Sequence, residues 1–560
     1  MLQYLNKRLL AILLVALGIR FFISCKGFLF LIFFVDDAFY YSTIASNITQ
    51  GLGITYDGIQ KTNGFHPLFL MLILPFFSLG GSSINFPLHL VAIFSSFVSL
   101  CIGILLYKIS KTVVDEWYSL FIVAIWSLSP IIVEKELNGM ETGLNLLLIV
   151  ATTYYYITNI ANHISDLKVI KIVFLGILLG LVILSRLDGI IFLGIILIHF
   201  SQCIIKESRE IEWLNKLIKF TIPLVSVVLI FVIPWLVFNY KVSGSIIPTS
   251  GHAVRFMSQS YGFAFDNFRL GIEQPASFFH DISIRYYLEN ILLSFMKLIS
   301  HFPYTSYAAM TLSDVLGTSE ENILLATVMN RIFILVAMLV LFSIMWKSSP
   351  RSNSAWKILF IYSILLIAVY SFYIFGQWFY PRYYFPITFM GTIWGGKFFF
   401  SVDARLRRRL ILNRLFKIFI IIIFVSFHLL QWRQVISEIP RNHHVKLYGV
   451  VQVLEKKTPK GAVIGCFQSG FLGYYSDRKV INLDGVVNQE ALKAMKENRL
   501  GKYVTRKGIT YIADWPYVLK TLFFRHLGDC KSIQEITLIH KGFFHIYKIN
   551  YNNTYTKKDK

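Results

Sequence analysis

The sequence predicts a polytopic α-helical membrane protein with a small α/β domain after its last apolar run. The chain has 560 residues, of which 55% are hydrophobic and only 15% are charged. Its mean hydropathy is +0.60. A soluble domain cannot bury that much apolar surface, so the composition favours a membrane protein. The spacing of the apolar runs and a change of pattern near residue 433 complete the prediction.

The apolar runs number about eleven, and most approach the ~20 residues that a helix needs to cross the hydrocarbon core. The first begins after Lys7 and Arg8. It has no convincing small-residue cleavage site and many runs follow it, so it is predicted to be a transmembrane helix rather than a signal peptide. The predicted spans are 9–34, 87–107, 118–133, 143–160, 169–185, 188–205, 217–238, 323–346, 356–376, 383–400 and 413–431.

Basic residues are concentrated in alternate loops, and such loops stay on the cytoplasmic side of a membrane. With a cytoplasmic N-terminus, alternation places the loop that begins at Asp36 and the chain after residue 432 on the outer face. This holds only if 66–80 does not cross the bilayer. That segment is short and contains Pro75, so we expect it to lie at the outer interface.

Two domains follow from this topology. Residues 1–432 form the membrane module, with interfacial helices in the first outer loop, 36–86. Residues 433–560 alternate short apolar runs with helical patterns, which is typical of a small α/β domain, here extracytoplasmic. Cys466 and Cys530 both fall in this domain, and their spacing leaves open whether they pair or remain thiols.

The net charge of +23 would suggest nucleic acid in a soluble protein. Here the basic residues lie between apolar runs, so topology and anionic lipid headgroups explain them, and we expect membrane lipids but no nucleic acid as partners. The five cysteines are scattered, which argues against a zinc site. The segment GCFQSGFLG does not match GxGxxG, which argues against a dinucleotide site.

Asp36 and Asp37 are adjacent carboxylates at the edge of an apolar run. Helix capping explains one such residue better than two. The functional interpretation is a general base at the membrane surface, where partial desolvation and mutual repulsion raise a carboxylate pKa.

Other polar groups are also predicted at the outer ends of helices, and together they indicate one cavity that opens outward. Each has a structural explanation as well: His66 as an interfacial histidine, Glu141 as a helix cap, Arg186 and Asp188 as an ion pair, and Arg382 as a membrane-interface anchor. The candidate substrate-contacting residues are Asn63, His66, Glu141, Arg186, Asp188, Arg382 and Tyr383.

The order of these motifs resembles a known class of enzyme. The series DDAFYY, TNGFHPL, NGMET, SRLDG, RYYFP and GYYSDRKVINLDG looks like bacterial GT-C fold glycosyltransferases. These enzymes depend on polyprenyl-phosphate sugars and are related to protein O-mannosyltransferases, lipid A aminoarabinose transferases and arabinofuranosyltransferases. The resemblance covers most of the chain, and the acidic pair is its most telling feature.

The resemblance implies a role for each residue. Asp36 would be the general base and Asp37 its helper. His66 stands where the aminoarabinose branch has a phosphate-binding lysine before proline, and Arg382 would be a second contact to the donor phosphate. Asn63, Glu141, Arg186, Asp188 and Tyr383 would contact substrate.

The implied reaction moves a sugar from a polyprenyl-phosphate donor to an acceptor hydroxyl at the outer face of a bacterial plasma membrane. A single base with direct displacement predicts inversion at the anomeric carbon. The acceptor class stays open among a glycan, a lipid and a protein. No metal is required, although a divalent cation on Asp36, Asp37 and Glu141 is left open.

Two other functions compete with this prediction. A transporter or flippase would carry charge in mid-helix and internal repeats, but the two halves show no repeat, and only Arg20 and Lys26 interrupt the first run. A non-catalytic scaffold would bind glycan through residues 433–560 alone and would not need Asp36.

Overall fold

The computed structural model describes residues 6–27, 29–81, 83–207, 212–257, 354–373 and 381–552. The helices before the long gap are α1 Lys7–Cys25, α2 Asp36–Thr49, α3 Pro67–Gly80, α4 Phe86–Ser110, α5 Glu116–Leu128, α6 Pro130–Glu136, α7 Thr142–Tyr156, α8 Val169–Ser185, α9 Gly189–Glu207 and α10 Glu212–Ser243. After the gap come α11 Ser354–Tyr373, α12 Phe385–Leu406, α13 Leu410–Glu438 and α14 His443–Lys457.

Six of the described helices are long and apolar enough to cross a bilayer, and a bent pair makes up to seven. The helical membrane module is therefore confirmed. The predicted span 323–346 lies outside the described residues, and the count of about eleven stays a prediction. The helix α3 has 14 residues, which is too short to cross the core and suits the predicted interfacial position.

Two segments that were each predicted as one continuous helix are interrupted in the structure. The helix predicted over 9–34 ends at Cys25, and a 3₁₀ turn at Leu29–Ile32 follows. Between them Gly27 adopts a φ of +51°, a conformation that breaks a right-handed helix and favours glycine. The span predicted over 118–133 is broken between α5 and α6, which are bent by 64°.

The break before α6 is caused by a proline, and a buried ion pair holds α6 in place after it. Ser129 is extended because the following Pro130 disfavours helical backbone at the preceding residue. The carboxylate of Glu136 at the end of α6 accepts hydrogen bonds from Arg20 Nε at 3.1 Å and Trp126 Nε1 at 3.1 Å. Arg20, which interrupts the first apolar run, is thus paired inside the module and fixes α6 against α1.

The C-terminal part is an α/β domain, as predicted. Strands β1 Val463–Cys466, β2 Lys479–Asn482, β3 Tyr511–Asp514, β4 Ile533–Lys541 and β5 His545–Tyr551 form one sheet in the order β2-β1-β3-β5-β4. The strands β2, β1 and β3 are parallel, whereas β5 runs antiparallel to β3 and β4. Its further helices are α15 Ser469–Tyr475, α16 Gln489–Lys496, α17 Leu500–Arg506 and α18 Pro516–Val518.

The tail domain, defined here as His443 to Asn552, begins after α13, which runs through residue 432 and ends at Glu438. Cys466 and Cys530 are free thiols. The buried apolar side chains of the tail domain and of the first outer loop form one continuous core, and Phe39 of α2 contacts Phe471 of α15 within it. The membrane helices pack around a separate core. The first outer loop is therefore fixed between the membrane module and the tail domain.

Candidate active site

A polar cavity of about 90 Å³ lies where the first outer loop, the ends of membrane helices and the tail domain meet. Several of the polar helix ends that the sequence singled out meet in this cavity, and its opening to the outer face stays a prediction. The predicted residues that line it are Asp37, His66, Glu141, Arg186, Arg382 and Tyr383. Residues that sequence reasoning did not assign to the site also line it, among them Tyr40, Tyr41, Met140, Gln468 and Asp484.

Asp37 lies in the first turn of α2 and forms an ion pair with Arg382. Arg382 stands just before α12, and its Nη1 also lies 3.1 Å from Met140 Sδ. Its guanidinium carbon is 5.3 Å from the ring centre of Tyr383. A guanidinium held against an aromatic ring at a cavity wall is suited to binding a phosphate through two parallel hydrogen bonds.

Glu141 is fully buried at the start of α7 and joins two sides of the cavity. Its carboxylate accepts hydrogen bonds from Arg186 Nη1 at 2.8 Å and from Tyr41 Oη at 2.9 Å. Burial raises the pKa of Glu141, but its neighbours, His66 and the guanidinium groups of Arg186 and Arg382, outweigh this effect and hold the pKa below its ordinary value. Glu141 is therefore ionised, and each of its two carboxylate oxygens already accepts a hydrogen bond.

Arg186 connects this anchor to Asp188 and to the aromatic wall. It donates to Asp188 Oδ2 at 2.9 Å and to Tyr370 Oη at 2.7 Å. Tyr383 lies 4.7 Å below its guanidinium and stacks on Tyr370 with ring centres 4.9 Å apart. The ion pair that the sequence offered as a structural explanation for Arg186 and Asp188 is present, and it supports the wall of the cavity.

His66 precedes α3 and faces Glu141, with its Nε2 3.7 Å from Glu141 Oε1. Burial lowers the pKa of His66, although the charge of Glu141 opposes this. The imidazole is therefore neutral near pH 7 and offers a hydrogen bond rather than a charge. The backbone N–H of His66 donates to Tyr41 Oη at 3.0 Å, which fixes the loop.

Asp36 is not part of the cavity lining, although it is the neighbour of Asp37. Its two carboxylate oxygens accept hydrogen bonds from the backbone N–H groups of Gly470 at 3.0 Å and Phe471 at 2.8 Å. Burial raises the pKa of Asp36 to about 7, against the opposing effect of the Phe471 N–H. In this structure Asp36 holds α2 against the first turn of α15 in the tail domain.

Asn63 also lies apart from the cavity. Its side-chain oxygen accepts a hydrogen bond from Thr249 Oγ1 at 2.6 Å, and its nitrogen donates to Ser243 Oγ at 3.1 Å. The residue is fully buried. Asn63 therefore fastens the first outer loop to the end of α10.

Asp484 enters the cavity from the tail domain, just after β2. Tyr40 Oη donates to its Oδ2 at 3.0 Å, and the Val486 N–H donates to its Oδ1 at 2.7 Å. Gln468, between β1 and α15, lines the same wall. The INLDG segment is the sequence feature that could have indicated this wall. It contributed to the family resemblance, but no site residue was predicted from it.

The acidic residues do not fit a divalent cation site. In the part of the chain that the structure describes, no group of three or more His, Cys, Asp or Glu side chains could hold a metal ion. The three carboxylates that the sequence left open as ligands have separate partners: Asp36 the α15 backbone, Asp37 Arg382, and Glu141 Arg186 with Tyr41.

Family models match two parts of the chain. One, described as dolichyl-phosphate-mannose-protein mannosyltransferase, matches residues 66–238, which include the His66 turn, Glu141 and Arg186. A second, described as a domain of unknown function, matches residues 434–556. No curated protein sequence matches the chain significantly.

Solved structures with similar folds cover almost the whole chain. ArnT from Cupriavidus metallidurans bound to undecaprenyl phosphate is 13% identical with a TM-score of 0.50, over 96% of this chain and 97% of that one. The oligosaccharyltransferase of Archaeoglobus fulgidus in the apo form is 12% identical with a TM-score of 0.52, over 98% and 75%. AglB from Archaeoglobus fulgidus, in complex with an inhibitory peptide and a dolichol-phosphate, is 11% identical with a TM-score of 0.51, over 98% and 74%.

Proposed function

We propose that this chain, a membrane protein with the GT-C fold of membrane glycosyltransferases, transfers a sugar from a polyprenyl-phosphate donor to an acceptor hydroxyl. The observation that carries the proposal is the pairing of Asp37 with Arg382 at the wall of a polar cavity beside the first outer loop. The lipid phosphates named with two of the similar structures support the donor class.

Arg382 is the group that would bind the donor phosphate. The monoanionic phosphodiester of the donor, bound beside this guanidinium, would compete with the carboxylate of Asp37 for the same N–H groups. Donor binding would therefore release Asp37 as it positions the leaving group. His66, a neutral imidazole that lines the same cavity, would add a hydrogen bond to the phosphate rather than a second charge.

The chemical step then needs one base. Asp37 takes the proton of the acceptor hydroxyl as its oxygen attacks the anomeric carbon. The bond between that carbon and the phosphate oxygen breaks, and polyprenyl phosphate leaves with the bonding electron pair, stabilised by Arg382. A single displacement of this kind inverts the anomeric configuration.

The choice between Asp36 and Asp37 as the base is part of this proposal. The family resemblance favoured Asp36, but both of its oxygens accept backbone hydrogen bonds from the tail domain. Asp37 lines the cavity and has a side chain as its partner, which a substrate can replace. We therefore assign the base to Asp37 and a positioning role to Asp36.

The remaining cavity residues have supporting roles in the proposal. Glu141 and Asp188 hold the guanidinium of Arg186 from two sides and so fix the position of Tyr383. The ring of Tyr383, which lines the cavity, would contact the sugar. The acceptor is a glycan, lipid or protein hydroxyl at the outer face of a bacterial plasma membrane, with the N-terminus cytoplasmic.

The test uses the purified full chain in lipid, offered a panel of polyprenyl-phosphate sugars together with an envelope extract. We expect one donor to be consumed, and we expect Asp37→Asn to lower kcat by roughly 10²–10⁴-fold, the usual contribution of a general base. Asp36→Asn should retain more activity than Asp37→Asn, because its carboxylate does not face the reacting atoms. Asp477→Asn, at an exposed position of the tail domain, is the matched control.

The outcomes separate the alternatives. A greater loss of activity in Asp36→Asn than in Asp37→Asn would indicate that Asp36 is the general base. If neither Asp36→Asn nor Asp37→Asn affects the consumption of donor, neither carboxylate is catalytic. Flux of a lipid or solute across the liposome without any sugar transfer would favour a transporter instead.

A further inference from the structure

The tail domain contributes a carboxyl group to the cavity that the proposed reaction does not yet use. Asp484 is 3% exposed and lies at the carboxyl end of the parallel strands, the edge at which α/β sheets bind ligands. Its two oxygens accept from the Val486 N–H and from Tyr40 Oη, and it lines the same cavity as Asp37. Asp484 is therefore placed at the cavity wall, where a bound substrate would lie within its reach.

The surroundings of Asp484 favour its neutral form. Among the described residues, no Lys, Arg or His side chain lies within 4.0 Å of its carboxyl group to form an ion pair. The titratable groups that interact with it include Asp37 and Tyr40 on α2, Tyr56 in the first outer loop, and Cys466 on β1, and all of these are acidic. The basic side chains of Arg382 and Arg186 line the same cavity, but Arg382 is paired with Asp37 and Arg186 with Glu141.

Burial is the largest cause of a rise in the pKa of Asp484 to about 8, and the nearby charge of Asp37 adds to it. The hydrogen bonds from Val486, Asn482 and Tyr40 act in the opposite direction. The group is thus protonated below about pH 8 and ionised above it. A neutral carboxyl group has an O–H donor and a C=O acceptor, as a sugar hydroxyl requires.

We propose that the buried carboxyl group of Asp484 forms a sugar-hydroxyl subsite that the tail domain supplies to the cavity. The proposal rests on the proposed glycosyl transfer and deepens it by naming the substrate group that the tail domain binds. A neutral acid holds a hydroxyl without repelling the donor phosphate at Arg382. It also leaves the proton of the acceptor to Asp37, since the carboxylate of Glu141 in the same cavity already accepts hydrogen bonds from Arg186 and Tyr41.

The experiment compares Asp484→Asn, whose amide keeps a donor and an acceptor, with Asp484→Ala, which keeps neither. Donor consumption by the full chain in lipid is measured from pH 6 to pH 9.5. We expect the asparagine variant to be at least about tenfold more active than the alanine variant at pH 7, as one lost hydrogen bond within a buried site predicts.

The pH profile supplies a readout that a structural role would not change. Activity of the unmodified protein should fall above about pH 8, because the carboxyl group ionises, loses its donor and repels the phosphate. In Asp484→Asn this fall should be absent up to pH 9. If the alanine variant does not fold, the pH profile of the asparagine variant tests the proposal alone. Loss of the fall in activity above pH 8 supports the subsite, and persistence of that fall rejects it.

The results that would overturn the proposal are distinct from those that overturn the function. If donor is consumed and Asp37→Asn is inactive, but Asp484→Ala equals the unmodified protein, the subsite fails and the transfer stands. Equal losses in Asp484→Asn and Asp484→Ala, with an unchanged fall above pH 8, also reject the subsite. If the unmodified protein consumes no donor, the proposed function fails and the subsite fails with it.

Discussion

Asp36 and Asp37 are neighbours in sequence but lie on different faces of α2. Successive residues of an α-helix point about 100° apart, so one carboxylate of the pair faces the tail domain and the other faces the cavity. They still interact, because the charge of Asp37 contributes to the raised pKa of Asp36. In the proposed mechanism, this acidic pair combines the general base, Asp37, with the carboxyl group that anchors its helix, Asp36.

Arg382 gives the first prediction at this scale. Replacing it with alanine removes the proposed phosphate contact, and we expect the affinity for polyprenyl phosphate to fall by about 10–100-fold, the value of a charge-assisted hydrogen bond in a partly buried site. Arg382→Lys should recover only part of this loss, because an ammonium group cannot bind two phosphate oxygens in parallel. Binding is measured by titrating the lipid phosphate into the protein in detergent.

The control for Arg382 is Arg506→Ala, which removes an exposed arginine of the tail domain that pairs with Glu490. It should leave the affinity unchanged. Equal affinities for the unmodified protein and Arg382→Ala would place the phosphate elsewhere in the cavity.

The elements that hold the site together meet at three glycines. A Cβ atom on Gly470 of α15 would lie 2.1 Å from the carbonyl oxygen of Asp36, and one on Gly64 would lie 1.9 Å from that of Val486. A Cβ on Gly473 would lie 2.0 Å from Tyr56 Oη. The first outer loop and the tail domain thus approach each other more closely than any side chain permits.

This close approach predicts the effect of Gly470→Ala. The added methyl group must displace the backbone of α2, and we expect a destabilisation of about 2 kcal/mol, which is typical of overpacking. Because α2 carries Asp37, activity should fall as well, and the tail domain should become easier to cleave by protease. Gly461→Ala, where a Cβ atom would meet nothing within 4 Å, is the matched control. Equal stability of the two variants would contradict a rigid contact at Gly470.

The sequence could predict most elements, and the exceptions have physical reasons. Long apolar runs predicted α4, α7, α9, α10 and α13, because a bilayer span must be apolar along its length. In the tail domain, the short apolar runs AVIGCF, KVINL, ITYIAD and HIYKI predicted β1, β2, β3 and β5. The sequence did not predict β4, since this strand lies at the edge of the sheet and most of its side chains are only partly buried or exposed. The break at Pro130 was missed because apolar character continues through it.

The site was only partly predictable for a different reason. Asp37, Glu141, Arg186 and Arg382 were found because they lie at the ends of apolar runs, where a cavity between helices must open. Asp484 contacts Tyr40 from 444 positions away in sequence, and only the docking of the tail domain brings them together. Likewise, no pattern within the sequence distinguishes which of two adjacent carboxylates faces the cavity.

The part of the chain that the structure describes has two large hydrophobic cores, and the cavity lies where they meet. One core holds the membrane helices, and the other joins the first outer loop to the tail domain. This arrangement suits a substrate whose lipid lies in the membrane and whose reacting carbon lies at its surface. It also requires that the first outer loop and the tail domain share one side of the membrane.

That requirement gives a prediction of topology. In a cysteine-free background, Gln534→Cys on β4 and Lys111→Cys between α4 and α5 each introduce one exposed thiol. With a cytoplasmic N-terminus, a membrane-impermeant maleimide should label residue 534 in intact spheroplasts and residue 111 only after permeabilisation, because one span separates Lys111 from the outer loop that packs on the tail domain. Total labelling after permeabilisation is the control for reactivity. Labelling of residue 111 alone in intact spheroplasts would invert the orientation, and labelling of both would show that α4 does not separate the two sides.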